Sequence, residues 1–259
     1  MGCRTNQSPV NTRGWRLPGA AALLLVLLTG HAASAPRLLE LYLPEAPPLT
    51  MQGPMGVTGI VGEVTVKAAQ LAGVDLKPKS LPWARAQRIV QKGQDLLIIP
   101  LSRTPDREDA YTWIAPVISM DRAFFSLDKR VESFQQARST YARIAVGMGS
   151  AQERKLRDEG FSDEQIHPLK IGENPAQLLL LGRVDAWFNG VPESQYIWRQ
   201  VSAQPLLMSP ALMRSDLYLA CSKDCQPELV ERLRAAVQQL RKDGTLQRIV
   251  EAYQLPAGQ

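Results

Sequence analysis

Residues 82–116 read PWARAQRIVQKGQDLLIIPLSRTPDREDAYTWIAP, and this stretch decides the fold class. Trp83–Lys92 has the residue pattern of a helix, which Gly93 stops. Leu96–Leu101 is a short apolar run closed by Ser102. A run of that length between turn signals predicts a strand buried on both faces, as in a parallel sheet. Ser102, Thr104 and Arg107 follow at once. Open α/β sheets bind ligands outside the carboxyl ends of their strands. A hydroxyl and a guanidinium delivered there suit a carboxylate, because Arg offers a planar fork of donors. Thr104 before Pro105 reads as a helix N-cap.

Outward from this stretch, strand and helix patterns alternate. RLLELYL (37–43) predicts the first strand, Gly53, Gly56 and Gly59 a hairpin, and residues 61–71 a helix. Residues 74–81 predict an extended segment at a sheet edge, because Pro78 lacks an N–H. Downstream strands are expected at 122–127, 142–148, 166–171, 184–189 and 217–221, with helices between and after them. Pro227–Leu240 carries Leu229, Val230, Leu233, Ala236, Val237 and Leu240 on one stripe. The alternation predicts an α/β fold with a mostly parallel sheet. The second polar strand end is Gly147-Met148-Gly149-Ser150. Two such strand ends facing each other would make a clamshell.

The chain has 259 residues, 45% hydrophobic and 21% charged, which is ordinary globular composition. Its formal charge of +5 falls to +2 without the three arginines of residues 1–35. No basic stripe interleaves with aromatics, which sets nucleic acid aside. Arg13 and Arg16 precede the apolar run GAAALLLVLL (19–28), and small residues end at Ala35. This predicts a signal peptide over 1–35, cleaved near Ala35, and a periplasmic mature protein, the alternative being an uncleaved membrane anchor. Cys221 and Cys225 then remain as the two cysteines of the mature chain, and in an oxidising compartment a disulfide is favoured over two thiols. His167 is the one mature histidine, far from both cysteines, so no metal is expected. No Gly-x-Ser-x-Gly occurs, Gln152 replaces the third glycine of a dinucleotide fingerprint, and no cofactor is expected. Arg107 could instead pair with Asp106, Glu108 or Asp109 on the surface. Trp83 reads equally as pocket wall or core, Trp187 as core, and Arg85 equally as a second cation or a solvated helix face.

Pro82-Trp83, GQDLLIIPLSRTPDRED, Trp113-Ile114-Ala115-Pro116, VGMGS, GRVDAWF and LRKDGTLQRIVEAY occur in that order over nearly all of residues 37–255. In this order the chain resembles the bacterial extracellular solute-binding proteins of family 3, the amino-acid-type receptors of ABC importers. The resemblance implies a two-lobe, type II periplasmic-binding fold. Lobe one would be 36–118 with 208–259, and lobe two 119–207, with hinges near 118–120 and 205–208. It implies a monomeric, non-enzymatic receptor for a small polar solute with a carboxylate, served by a permease in the inner membrane. The alternatives are a dehydratase-like enzyme on the same fold or a sensory clamshell.

By the same resemblance, Arg107 grips the ligand carboxylate with Ser102, and Ser150 holds it from a helix N-terminus. Trp83, Gly149 and Asn189 complete the expected lining. Two positions depart from the family. The aspartate that pairs with a ligand ammonium is Gly190 here, and the aromatic that covers the ligand is Ala46. Either Glu45 or Glu193 supplies a displaced anion, or the ligand carries no ammonium at all.

Overall fold

The computed structural model describes residues 37–253, so the signal peptide read in 1–35 lies outside them. Strand β1 (Arg37–Leu43) leads through the hairpin β2 (Met51–Gly53) and β3 (Gly56–Thr58) into α1 (Ile60–Leu71), β4 (Val74–Ser80), α2 (Trp83–Lys92) and β5 (Leu97–Ser102). A 3-10 helix, Pro105–Ala110, turns the chain into the long β6 (Tyr111–Ser126). Next come α3 (Phe134–Thr140), β7 (Ile144–Gly147), α4 (Ala151–Asp158), β8 (Ile166–Leu169), α5 (Pro175–Leu180), β9 (Ala186–Gly190) and α6 (Val191–Val201). The chain returns through β10 (Leu207–Met208) and β11 (Met213–Ser222) and ends in α7 (Pro227–Lys242) and α8 (Thr245–Tyr253). Among the described residues, no helix is long and apolar enough to cross a membrane.

The sheet order is β4-β1-β5-β11-β6-β9-β7-β8, with β10 beside β6. The Pro78 strand is at the edge, as its missing N–H requires. The expectation of a mostly parallel sheet is corrected. β4, β1 and β5 are parallel, as are β9, β7 and β8, but β11 is antiparallel to β5 and β6, and β6 to β9. One long strand carries the chain from the first parallel block to the second, and its neighbour brings it back. Two such neighbours must oppose each other.

The strand expected to begin at Arg122 begins at Tyr111. Pro116 hid this continuity. It lies at a register shift, pairing with Tyr218 while Ile118 pairs with Leu217, and a bulge is where a strand tolerates proline. Thr104 is the N-cap residue of the 3-10 helix with Pro105 first, as expected, but by backbone position alone. Its side chain makes no capping bond, and its hydroxyl is buried without a partner.

Period-2 alternation sorts the buried residues onto opposite faces. On the first block, Leu41, Leu97, Ile99 and Leu219 pack with α1 and the Leu233 stripe of α7, while Tyr42, Ile98, Leu101 and Ala220 pack with Trp83 and Val90 of α2. On the second, Phe124, Val146 and Phe188 join Leu156 on one face, and Phe125, Ala145 and Trp187 join Trp198 on the other. Cys221 and Cys225 form a disulfide, their Cα atoms 6.0 Å apart, within the bond's range. Leu233 is fully buried at the centre of the α7 stripe. Leu233→Ala is expected to lower unfolding stability by about 2–5 kcal/mol, read from urea denaturation. An unchanged midpoint would contradict this packing.

Candidate functional site

β5 ends at Ser102, and the 3-10 helix places Arg107 back over that strand end. Arg107 is only 8% exposed, which excludes the surface-pair reading. Glu108 pairs instead with Arg103, whose Nε donates to it over 2.9 Å. Arg107 Nη1 donates to the Ser102 carbonyl at 3.2 Å. Its Nη2 reaches across to the second block and donates to the Gly149 carbonyl at 3.0 Å. Burial pushes the Arg107 guanidinium down from its usual pKa, with Tyr111 and Asp106 partly offsetting this. A buried cation with neutral partners favours an anion beside it.

The facing wall comes from the turn after β7. Ser150 caps α4, its Oγ accepting from the Glu153 amide at 3.1 Å. The first two amides of the helix, at Ala151 and Gln152, precede any intrahelical partner, and both residues line the cavity. Gly149 differs from expectation: it does not line the cavity. Its N–H donates to Glu153 at 2.6 Å, and its carbonyl accepts from Arg107 and from Gln87 at 2.9 Å. Its φ of 71° and its approach to Ala84, 3.2 Å from a built Cβ, make glycine the fitting residue.

Between these walls lies a cavity of about 260 Å³. Ser102, Arg107, Ser150, Trp83, Glu45 and Asn189 all line it, and so does Trp187. Trp83 and Trp187 are therefore both core and wall. Asn189 Oδ1 accepts from Gln152 Nε2 at 3.2 Å. Glu45 is exposed at the rim and accepts from the Gln52 amide. Ala46 is buried against the cavity. Arg85 is exposed and outside the lining, as is His167. Asp185 serves local structure, accepting from the amides of Ala142 and Arg143.

Sequence reasoning missed Arg122. It is 2% exposed, lines the cavity, and donates from Nη2 to Ser102 Oγ at 2.9 Å and from Nη1 to Ser215 Oγ at 2.8 Å. Its Nε is buried without a partner. The available signal was an arginine inside the apolar strand RAFFSL, where a charge demands a reason.

Gly190 also acquires a cause. A Cβ built there would stand 2.3 Å from Glu193 Oε2 and 2.3 Å from Met120 Sδ. The Glu193 carboxylate, from the first turn of α6, thus fills the space that a side chain at 190 would need. Burial pushes the Glu193 pKa up to about 7, against the pull of Arg122.

A model of the bacterial extracellular solute-binding proteins, family 3, matches residues 41–256. No curated protein matches the chain by sequence. Solved structures match in fold. A histidine kinase sensor domain with similarity to periplasmic binding proteins superposes with a TM-score of 0.76 at 17% identity, covering 85% of this chain and 97% of that one. An ancestral arginine-binding protein bound to arginine gives 0.73 at 19% identity, covering 85% and 100%. An ancestral amino acid-binding protein, a precursor of cyclohexadienyl dehydratase, gives 0.72 at 19% identity, covering 83% and 95%.

Because the folded-state pKa of Glu193 lies above its unfolded value of 4.5, its neutral form favours folding at low pH, and that advantage is lost as pH rises toward 7. Glu193→Gln should therefore gain stability relative to the parent protein across this window. The gain is about 1–3 kcal/mol, read from paired denaturation curves at each pH. A pH-independent difference would contradict burial of this carboxyl.

Proposed function

Since the chain belongs to the bacterial extracellular solute-binding proteins of family 3, we propose that it captures a small carboxylate-bearing solute between two lobes. The lobes are 36–118 with 208–259, and 119–207. Both β6 and β11 run between the two parallel blocks and supply the hinges. Leu207 and Met208 still pair with Ser126 and Phe125. We read the return crossing as Met213–Leu217 of β11, which moves the return boundary of lobe one from 208 to that segment. The observation that carries the reading is Arg107, which comes from one lobe, lines the cavity and reaches the α4 turn of the other. A carboxylate placed there would meet a guanidinium with unused donors and the amides of Ala151 and Gln152. Closing the lobes would exclude water and strengthen both contacts. The solute would be handed, in the periplasm, by a monomeric receptor to a permease of the ABC type.

One observation favours a second reading. Glu193 is a cavity carboxyl that titrates near 7, as a general acid or base requires. An enzyme would transform the solute, whereas a receptor returns it unchanged, and mass spectrometry of the recovered solute separates the two.

The test of capture is Arg107→Ala, assayed against the solute that co-purifies and is identified by native mass spectrometry. Binding should weaken by about 30-fold or more, with native circular dichroism. Binding equal to that of the parent protein would remove Arg107 from the site.

A further inference from the structure

We propose that the cavity selects a solute of net charge −1, and that Arg122 sets this selection. The inference rests on the carboxylate-capture reading above and names the class of solute. Two guanidiniums converge on one residue: Arg107 takes the carbonyl of Ser102, and Arg122 takes its hydroxyl. Their other side-chain partners are the Gly149 and Met120 carbonyls and the Ser215 hydroxyl, all neutral. Both side chains are more than nine-tenths buried. Facing them among the described residues is one partly buried carboxyl, Glu193, which acts on Arg122 through space. The remaining charged groups of the lining, Glu45, Lys170 and Glu173, are exposed at the rim, where water screens them. Asp121, the other acid acting on Arg122, pairs with Arg214 on an exposed face, and Asp106 beside Arg107 is exposed.

With Glu193 ionised, the inner wall therefore carries one unit of positive charge. A zwitterionic amino acid adds nothing and leaves that charge buried and unbalanced. A cationic one doubles it. A solute of net charge −1 cancels it, and a desolvated charge without a counter-charge is strongly disfavoured. Arg122 lines the cavity as Arg107 does, so its guanidinium is a second cation for the solute. Two kinds of molecule meet these terms. An acidic amino acid places its second carboxylate on Arg122 and its ammonium on Glu193. A 2-hydroxy monocarboxylate places its hydroxyl between them.

Calorimetric titration of the full mature chain at about pH 8 with two matched pairs tests this. The pairs are glutamate against glutamine, and lactate against alanine. At least one anion should bind more than tenfold tighter than its neutral partner, and which anion does so tells the two kinds of solute apart. Arg122→Gln should abolish or invert that preference. Glu193→Gln should move it toward the dianion malate. The second variant decides the matter if the first does not fold, and a merely structural Arg122 would weaken all ligands without reordering them. If a neutral member binds as tightly as its anion and Arg107→Ala still abolishes both, charge selection fails while the carboxylate clamp stands. If neither anion binds at millimolar concentration, charge selection also fails. The clamp is then judged separately, by Arg107→Ala on the co-purified solute.

Discussion

Burying a guanidinium without a carboxylate partner is the constraint around which this protein is arranged. Arg107 and Arg122 are both removed from water, and both are satisfied by carbonyls and hydroxyls rather than by acids. Such bonds meet the directional needs of the donors, the Nε of Arg122 excepted, but leave the charge in place. The cavity beside them is thus a place where an anion is worth more than it would be at the surface. Surface arginines in the same chain show the contrast. Arg103 and Arg157 sit beside carboxylates in solvent, where the pairing contributes little.

The fold makes this arrangement possible by its strand order. β5 is buried on both faces, so its carboxyl end is a fixed platform, and Ser102 is delivered at its tip. β6 and β11 then carry the backbone past this point into the second block, so that Arg122 rises from β6 beneath Ser102. The cap of α4 approaches from the opposite side, close enough for Gly149 to accept from Gln87 and Arg107 together. Gly190 and Glu193 show the same economy of space. One residue without a side chain leaves room for a carboxylate arriving from the next helical turn.

Much of this was legible in the sequence. The run at 96–101, its polar closure and the alternation of segments identified an α/β fold, and the residues of the first wall follow directly from them. Elements were legible where hydrophobic period and punctuation agreed, as in α2 and α7. They were lost where tertiary pairing overrode local signals. Pro116 broke the apparent strand, although a bulge accommodates it in β6. Arg122 was passed over because a lone charge in an apolar run gives no sign of what it faces. The part Gly149 plays is not legible in sequence, because its backbone bonds to Gln87 and Glu153 depend on three-dimensional neighbours. Gly190 read as a lost acid, whereas the structure places a carboxylate in that same space.

The most direct measurement is a crystal structure of the chain with its co-purifying solute bound. A solute carboxylate within hydrogen-bond distance of both the Arg107 guanidinium and the amides of Ala151 and Gln152 is the expected result. A solute held elsewhere in the cavity, with Arg107 bonded only to Ser102 and Gly149, would contradict the convergence of the two walls on one anion.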